Sequence, residues 1–114
     1  MKTFILVFLL LFMMSSQVYA GPQIYGYGAQ PCGHFVKVLE GYRKGNDDDA
    51  TAYLGFMSWF SGLATANSFD SDKDVLQGKD ADAITLWLDN YCKEHPQDSF
   101  FTASVRLLTT LKNK

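Results

Sequence analysis

The sequence has little of what catalytic and metal centres are usually built from. It contains two histidines, His34 and His95, which are too few for a histidine-based metal site. It has no glycine-rich phosphate loop, no Gly-x-Ser-x-Gly elbow and no zinc motif. Cys32 stands two residues before His34, but a structural disulfide is a simpler use for it than nucleophilic catalysis. We therefore expect neither an enzyme nor a cofactor or metal.

The chain also lacks the excess of basic residues that binding to nucleic acid or anionic lipid requires. Its 10 Lys and Arg residues face 12 Asp and Glu residues, which gives a formal net charge of −2. Without the first 20 residues the chain loses Lys2, and the net charge becomes −3. Neither nucleic acid nor a membrane surface is expected as the main partner.

Residues 1–20 have the three parts of a secretory signal peptide. Lys2 provides a charged start, an apolar run of 11 residues extends from Phe4 to Met14, and Val18-Tyr19-Ala20 provides a small-residue exit. The run is short for a membrane span, so we predict cleavage after Ala20, with an uncleaved anchor as the alternative. The remaining 94 residues allow one domain. We expect a periplasmic protein, or a secreted one, with no stable membrane insertion after cleavage.

Both cysteines lie in the exported part of the chain. Small exported domains use cysteine mainly for disulfides, so Cys32 and Cys92 are predicted to form one bridge. The bridge would join the start of the first helix to the end of the third. It would close a loop of about 60 residues, for which chain entropy gives about 4 kcal/mol of stabilisation.

Capping residues and apolar spacing predict the elements that follow. Residues 21–31 contain three glycines and two prolines and are predicted to form a flexible arm. The helical domain covers residues 32–114. Asn46 begins its second helix, Asp80 its third, and Asp98 or Ser99 its fourth. No alternating strand pattern occurs, so the predicted fold is all-α, a small single-domain bundle of about four helices locked by one disulfide.

The second helical segment is the most unusual stretch, because residues 50–69 carry no charge. A helix that is apolar on most sides is buried on most sides, so we predict a central helix with close neighbours at Gly55 and Gly62. A membrane span is the less favoured alternative. In the last helix the inward stripe is predicted at Phe101, Val105, Leu108 and Leu111. The residues expected to dominate the core are Phe56, Trp59, Phe60, Ile84, Trp87, Leu88, Tyr91 and Leu108.

The polar linker at residues 69–79 holds the most acidic spacing after the helix caps. Asp70, Asp72 and Asp74 occupy the first, third and fifth positions of a calcium loop. However, Val75 stands where that loop needs glycine, and Ala81 stands where it needs a bidentate glutamate. We therefore predict a solvated acidic loop without a metal.

Two segments together resemble a known family. Tyr53 is followed by Trp59-Phe60-Ser61-Gly62 and Asn67, and later by Trp87-Leu88-Asp89-Asn90-Tyr91-Cys92 and Pro96. Over residues 32–111 this pattern resembles the Rap/Tai group of periplasmic immunity proteins, which neutralise type VI secretion amidase effectors and look similar in fold to the HdeA acid-stress chaperones. The resemblance implies a helical periplasmic protein that blocks the active site of a cell-wall amidase, often with the support of a homodimer.

In this family the blocking surface is implied to be a loop between helices, which corresponds here to residues 69–79. Asp70, Asp72 and Asp74 are the candidate partner-binding residues because of their acidity and expected exposure. Three function classes stay open: an immunity protein that inhibits an amidase, an HdeA-like acid-stress chaperone, and an exported helical domain with an unknown partner.

Overall fold

The chain folds into four α-helices preceded by a short 3-10 helix at Gly26–Ala29, as seen in a computed structural model that describes residues 1–4 and 21–114. The helices are α1 Cys32–Arg43, α2 Asp47–Ser71, α3 Ala81–Glu94 and α4 Phe100–Lys112. In the described part of the chain the only β-type pairing is an isolated bridge between Pro31 and Ser99. The predicted all-α single domain is confirmed, whereas the predicted signal peptide and its cleavage site fall on residues outside the described ones.

Side chains cap the helices as their sequence suggested. The Asn46 side chain accepts the backbone N–H of Asp49 at 2.9 Å, and Asp80 accepts that of Asp82 at 3.1 Å. Ser99, rather than Asp98, caps α4 by accepting a backbone N–H at 3.1 Å. Each cap satisfies a donor that has no partner inside its helix, so the helix starts are fixed by local chemistry.

The helix at the centre of the bundle is α1. It packs against each of the other three helices, and Phe35, Val38 and Leu39 on its inner side are buried. The first of its residues, Cys32, is bonded to Cys92 at the end of α3, with the two Cα atoms 4.7 Å apart. The predicted disulfide is therefore present and ties the central helix to α3.

The prediction that α2 is buried on most sides is wrong. Its buried residues form a narrow stripe of Phe56, Phe60 and Ala64. On the other side, Leu54 is 63% exposed and Phe69 is 85% exposed. The uncharged segment also contains glycine, alanine, serine and threonine, and these small residues can face water without a charge. Absence of charge therefore indicated neutrality, not burial.

The core contains the eight expected residues at two depths. Phe56, Phe60, Ile84, Leu88 and Leu108 are buried, while Trp59, Trp87 and Tyr91 are half-buried and pack against them. The inner stripe predicted for α4 is out of phase. Its buried residues are Phe100, Ala103, Ser104, Leu107 and Leu108, and Val105 is 38% exposed. The cause is Phe100, which follows the Ser99 cap directly and fills the aromatic core.

Residues 25–31, called the strap from here on, pack against the body and differ from the loose arm that was predicted. The Trp59 indole donates a hydrogen bond to the Tyr25 carbonyl at 3.0 Å, and its ring lies so close to Gly28 that a Cβ there would overlap it. The Tyr27 ring packs on Phe56 with centroids 4.8 Å apart. Aromatic contacts thus hold a glycine-rich segment that would otherwise be mobile.

Glycine in α2 matters at one of the two predicted positions. The Tyr27 ring occupies the space beside Gly55, where a Cβ would overlap it, whereas nothing lies within 4 Å of a Cβ at Gly62. The close neighbour predicted at Gly55 is therefore a strap residue, and Gly62 faces open space. None of the described helices combines the length and apolarity needed to cross a membrane.

Candidate functional site

The three candidate aspartates lie at the point where α2 ends. Asp70 is in the last turn of the helix, and Asp72 ends it with a left-handed backbone, φ 54°. Asp74 accepts the backbone N–H of Leu76 at 3.2 Å. All three are exposed, as predicted. They cap and terminate the helix, and within residues 1–4 and 21–114 no group of three His, Cys, Asp or Glu residues is placed to hold a metal.

Phe69 stands directly beside these aspartates and was missed by the sequence analysis. Its side chain is 85% exposed, and it lines a shallow pocket of about 250 Å³ together with Ser68, Asp72, Lys73 and Asp74. We call Phe69, Asp70, Asp72 and Asp74 the acidic edge. Large aromatic side chains are a frequent source of binding energy at protein interfaces, and acidic groups around them direct the approach of a basic partner.

A helical pattern could have identified Phe69. Leu54, Ser58, Ser61, Thr65 and Phe69 follow one another at three- or four-residue spacing along the exposed side of α2. Once the inward stripe is placed at Phe56, Phe60 and Ala64, this opposite face must point to solvent. The sequence stage assigned a single broad apolar surface to the helix and so lost the distinction.

The exposed side of α2 is a second notable surface. We call Thr51, Leu54, Ser58, Ser61, Gly62, Thr65, Ala66 and Phe69 the neutral face. Several of its hydroxyls bond back to their own helix, as in Ser61 to the Met57 carbonyl and Thr65 to the Ser61 carbonyl, both at 2.8 Å. Because these hydroxyls already have partners, the face offers water an uncharged and only weakly polar surface.

A buried carboxylate links α1 to α3. The Asp89 side chain is 3% exposed, and its Oδ2 accepts from Arg43 at 3.3 Å and from Lys93 at 2.9 Å. Beside it, the hydrogen bond and charge of Lys44 lower the pKa of Glu40, and Glu40 in turn raises the pKa of Lys44. Two cations on one buried carboxylate satisfy a charge that would otherwise be costly, which is a structural role.

Tyr91 has a comparable structural role at the turn before α4. Its hydroxyl donates to Asp98 at 2.7 Å, and its ring stacks on Trp87 with centroids 5.5 Å apart. The hydrogen bond to Asp98, with some burial, raises the pKa of Tyr91. Asp89, Tyr91 and Cys92 all belong to the run that carried the family resemblance, and each of them stabilises the fold.

No family model, curated protein or solved structure matches the chain. The resemblance to the Rap/Tai group therefore stays a prediction, and the candidate site depends on the geometry of this chain alone.

Proposed function

We propose that the protein is an exported, non-catalytic binding protein, and specifically an immunity protein that binds and inhibits a cell-wall amidase in the periplasm. The observation that carries the proposal is the 85% exposure of Phe69 beside Asp70, Asp72 and Asp74. A large apolar side chain held in water next to a group of like charges is typical of a surface that is covered by a partner.

The acidic edge fits a partner whose active-site cleft is basic. Amidase clefts that hold a catalytic thiolate often carry basic neighbours, which lower the pKa of the thiol. Three aspartates would attract such a cleft over a distance of about a Debye length, near 8 Å at physiological salt. Phe69 would then supply the apolar contact that slows dissociation.

The edge is placed on a well-defined support. Asp72 ends a long helix, and the Ser68 hydroxyl accepts the backbone N–H of Val75 at 3.1 Å, which fixes the first residues of the linker. Val75 itself is 7% exposed and anchors the linker in the core. A surface that is already ordered loses less conformational entropy when it binds.

The test is a pull-down and a cell-wall hydrolysis assay with the hydrolase encoded beside this gene. We expect inhibition by the wild-type protein and a loss of affinity of about 30-fold or more for Phe69→Ala, the effect of a typical aromatic hot spot. Leu54→Ala is the matched control, because Leu54 is also an exposed apolar residue of α2 but lies away from the aspartates. If the hydrolase is neither bound nor inhibited, the immunity function is wrong.

An acid-stress chaperone is the second candidate, and Asp89 is the observation that favours it. Protonation of this buried carboxylate would break both ion pairs between α1 and α3 and expose apolar core. That function predicts dye binding to exposed core and suppression of client aggregation at about pH 2–3. A chain that stays folded and inactive at that pH would exclude it.

A second copy of the chain is the partner that best fits the neutral face. The protein is net negative, so two copies approach most easily where neither carries charge. The face spans from Leu54 to Phe69 with small residues between, which lets two helices come close together. The proposal predicts a concentration-dependent dimer in analytical ultracentrifugation that Ser61→Glu abolishes. A monomer at all concentrations would contradict it.

A further inference from the structure

Four lysines from two distant parts of the sequence meet around one cleft. Lys73 and Lys79 come from the linker after α2, and Lys112 and Lys114 come from the end of α4. The cleft measures about 270 Å³, and Val75 and Leu111 provide apolar surface in it. We call it the lysine cleft.

The charge of this cleft is not neutralised by the surrounding protein. In the part of the chain that the structure describes, the ion pairs engage Arg43, Lys44 and Lys93, and none involves the four lysines. One acidic side chain lines the cleft, Asp74, and its carboxylate accepts a backbone N–H. A protein of negative net charge thus concentrates exposed positive charge at one place.

The helix dipole explains only half of this arrangement. Cations are favoured near the C-terminal end of a helix, which accounts for Lys112 and Lys114 at the end of α4. It does not account for Lys73 and Lys79, which belong to another segment and are brought to the same place by the burial of Val75. Like charges from separate segments repel one another unless an anion lies between them.

We propose that the lysine cleft binds an acidic segment of a partner protein. Carboxylates of the segment would pair with the four ammonium groups, and one apolar side chain would lie on Val75 and Leu111. The volume of about 270 Å³ is near the lower end for ligand pockets and suits a few side chains.

The surroundings argue against other polyanions. Asp70 and Asp72 are exposed in the same part of the chain and would repel an extended phosphate backbone or an anionic membrane. The cleft is lined by no aromatic side chain on which a nucleobase could stack. The proposal does not depend on the identity of the partner or on inhibition of an amidase.

The experiment is an NMR titration of isotope-labelled protein, expressed from the full sequence with its disulfide formed. The probe is the peptide Glu-Leu-Glu-Glu-Leu, and Gln-Leu-Gln-Gln-Leu is the uncharged control. We expect saturable shifts of the side-chain signals of the four lysines with the acidic peptide only. The affinity should fall as the salt concentration rises, because exposed charge pairs are screened.

Paired variants make the result specific to the cleft. Lys79→Gln with Lys112→Gln should weaken binding about tenfold, the effect of losing two exposed ion pairs. Lys37→Gln with Lys44→Gln removes the same charge from α1 and should change affinity less than twofold if the cleft is the site. Shifts spread evenly over all lysines, equal effects of the two variants, or binding to phosphatidylglycerol vesicles or oligothymidylate without binding to the peptide would each overturn the proposal.

Discussion

The strap and the linker at residues 72–80 are both irregular segments, yet they have opposite relations to the body of the protein. The strap contains glycine and tyrosine and no charge, and it packs against Trp59 and Phe56. The linker carries exposed acids and lysines and is anchored mainly by Val75, with Leu76 packed against the core. Side chains that can enter a core close one segment onto the body, and charge keeps the other open to partners.

The largest expected effect concerns the closed side of this comparison. Cys32→Ser with Cys92→Ser removes the bridge beside the strap and should cost about 4 kcal/mol of unfolding free energy, since the open chain regains the entropy of a loop of about 60 residues. Urea denaturation followed by tryptophan fluorescence measures it. A loss below about 1 kcal/mol would show that strap and core hold without the bridge.

A pair of glycine substitutions tests the packing of the strap. Gly28→Ala forces a methyl group into the Trp59 ring and should destabilise the protein by about 1–3 kcal/mol, as overpacking does. Gly62→Ala is the matched control, because it points a methyl group into open space within α2 and should stabilise by up to about 1 kcal/mol. Thermal melts of both variants give the comparison. Equal melting temperatures would mean that the strap is loose in solution.

Tyr91 gives a smaller effect with a defined pH dependence. Its pKa is raised in the folded protein because the neutral hydroxyl donates to Asp98. The stabilisation is therefore complete below the ordinary tyrosine pKa of about 10 and is lost as the pH rises through the higher folded value. Tyr91→Phe should cost about 1 kcal/mol at neutral pH and less above about pH 10.5. Unfolding curves across that range would refute the account if the cost grew with pH.

The smallest effect on stability belongs to the open side. Replacing Asp70, Asp72 and Asp74 together with Asn should change unfolding free energy by less than about 1 kcal/mol, since exposed charges contribute little. The same variant should capture a basic partner more slowly, and the difference should shrink as salt is added. Stopped-flow association with the neighbouring hydrolase measures this. Unchanged association rates would move the contact surface away from the aspartates.

Local chemistry accounts for the parts of the fold that could be predicted from the sequence. The caps at Asn46 and Asp80 depend on neighbouring backbone groups, and the disulfide required only two cysteines in an exported domain. The strap could not be predicted in this way, because its order comes from Trp59, which lies more than 25 residues away in the chain. Likewise the phase of α4 depends on Phe100 entering a core built by other helices.

The candidate site was predicted only in part for a related reason. The exposure of Asp70, Asp72 and Asp74 follows from their charge. The exposure of Phe69 does not, because a phenylalanine at the end of an apolar run is expected in the core. Which side of α2 faces water is decided by where α1 packs, and that depends on contacts along the whole helix.

Hydrogen–deuterium exchange of this protein, with and without the hydrolase encoded beside its gene, tests the central claim most directly. The account predicts that binding slows exchange at residues 68–76, around the acidic edge, and leaves the strap unchanged. Slower exchange at the strap with none at residues 68–76 would contradict the assignment of the open segment as the partner-binding surface.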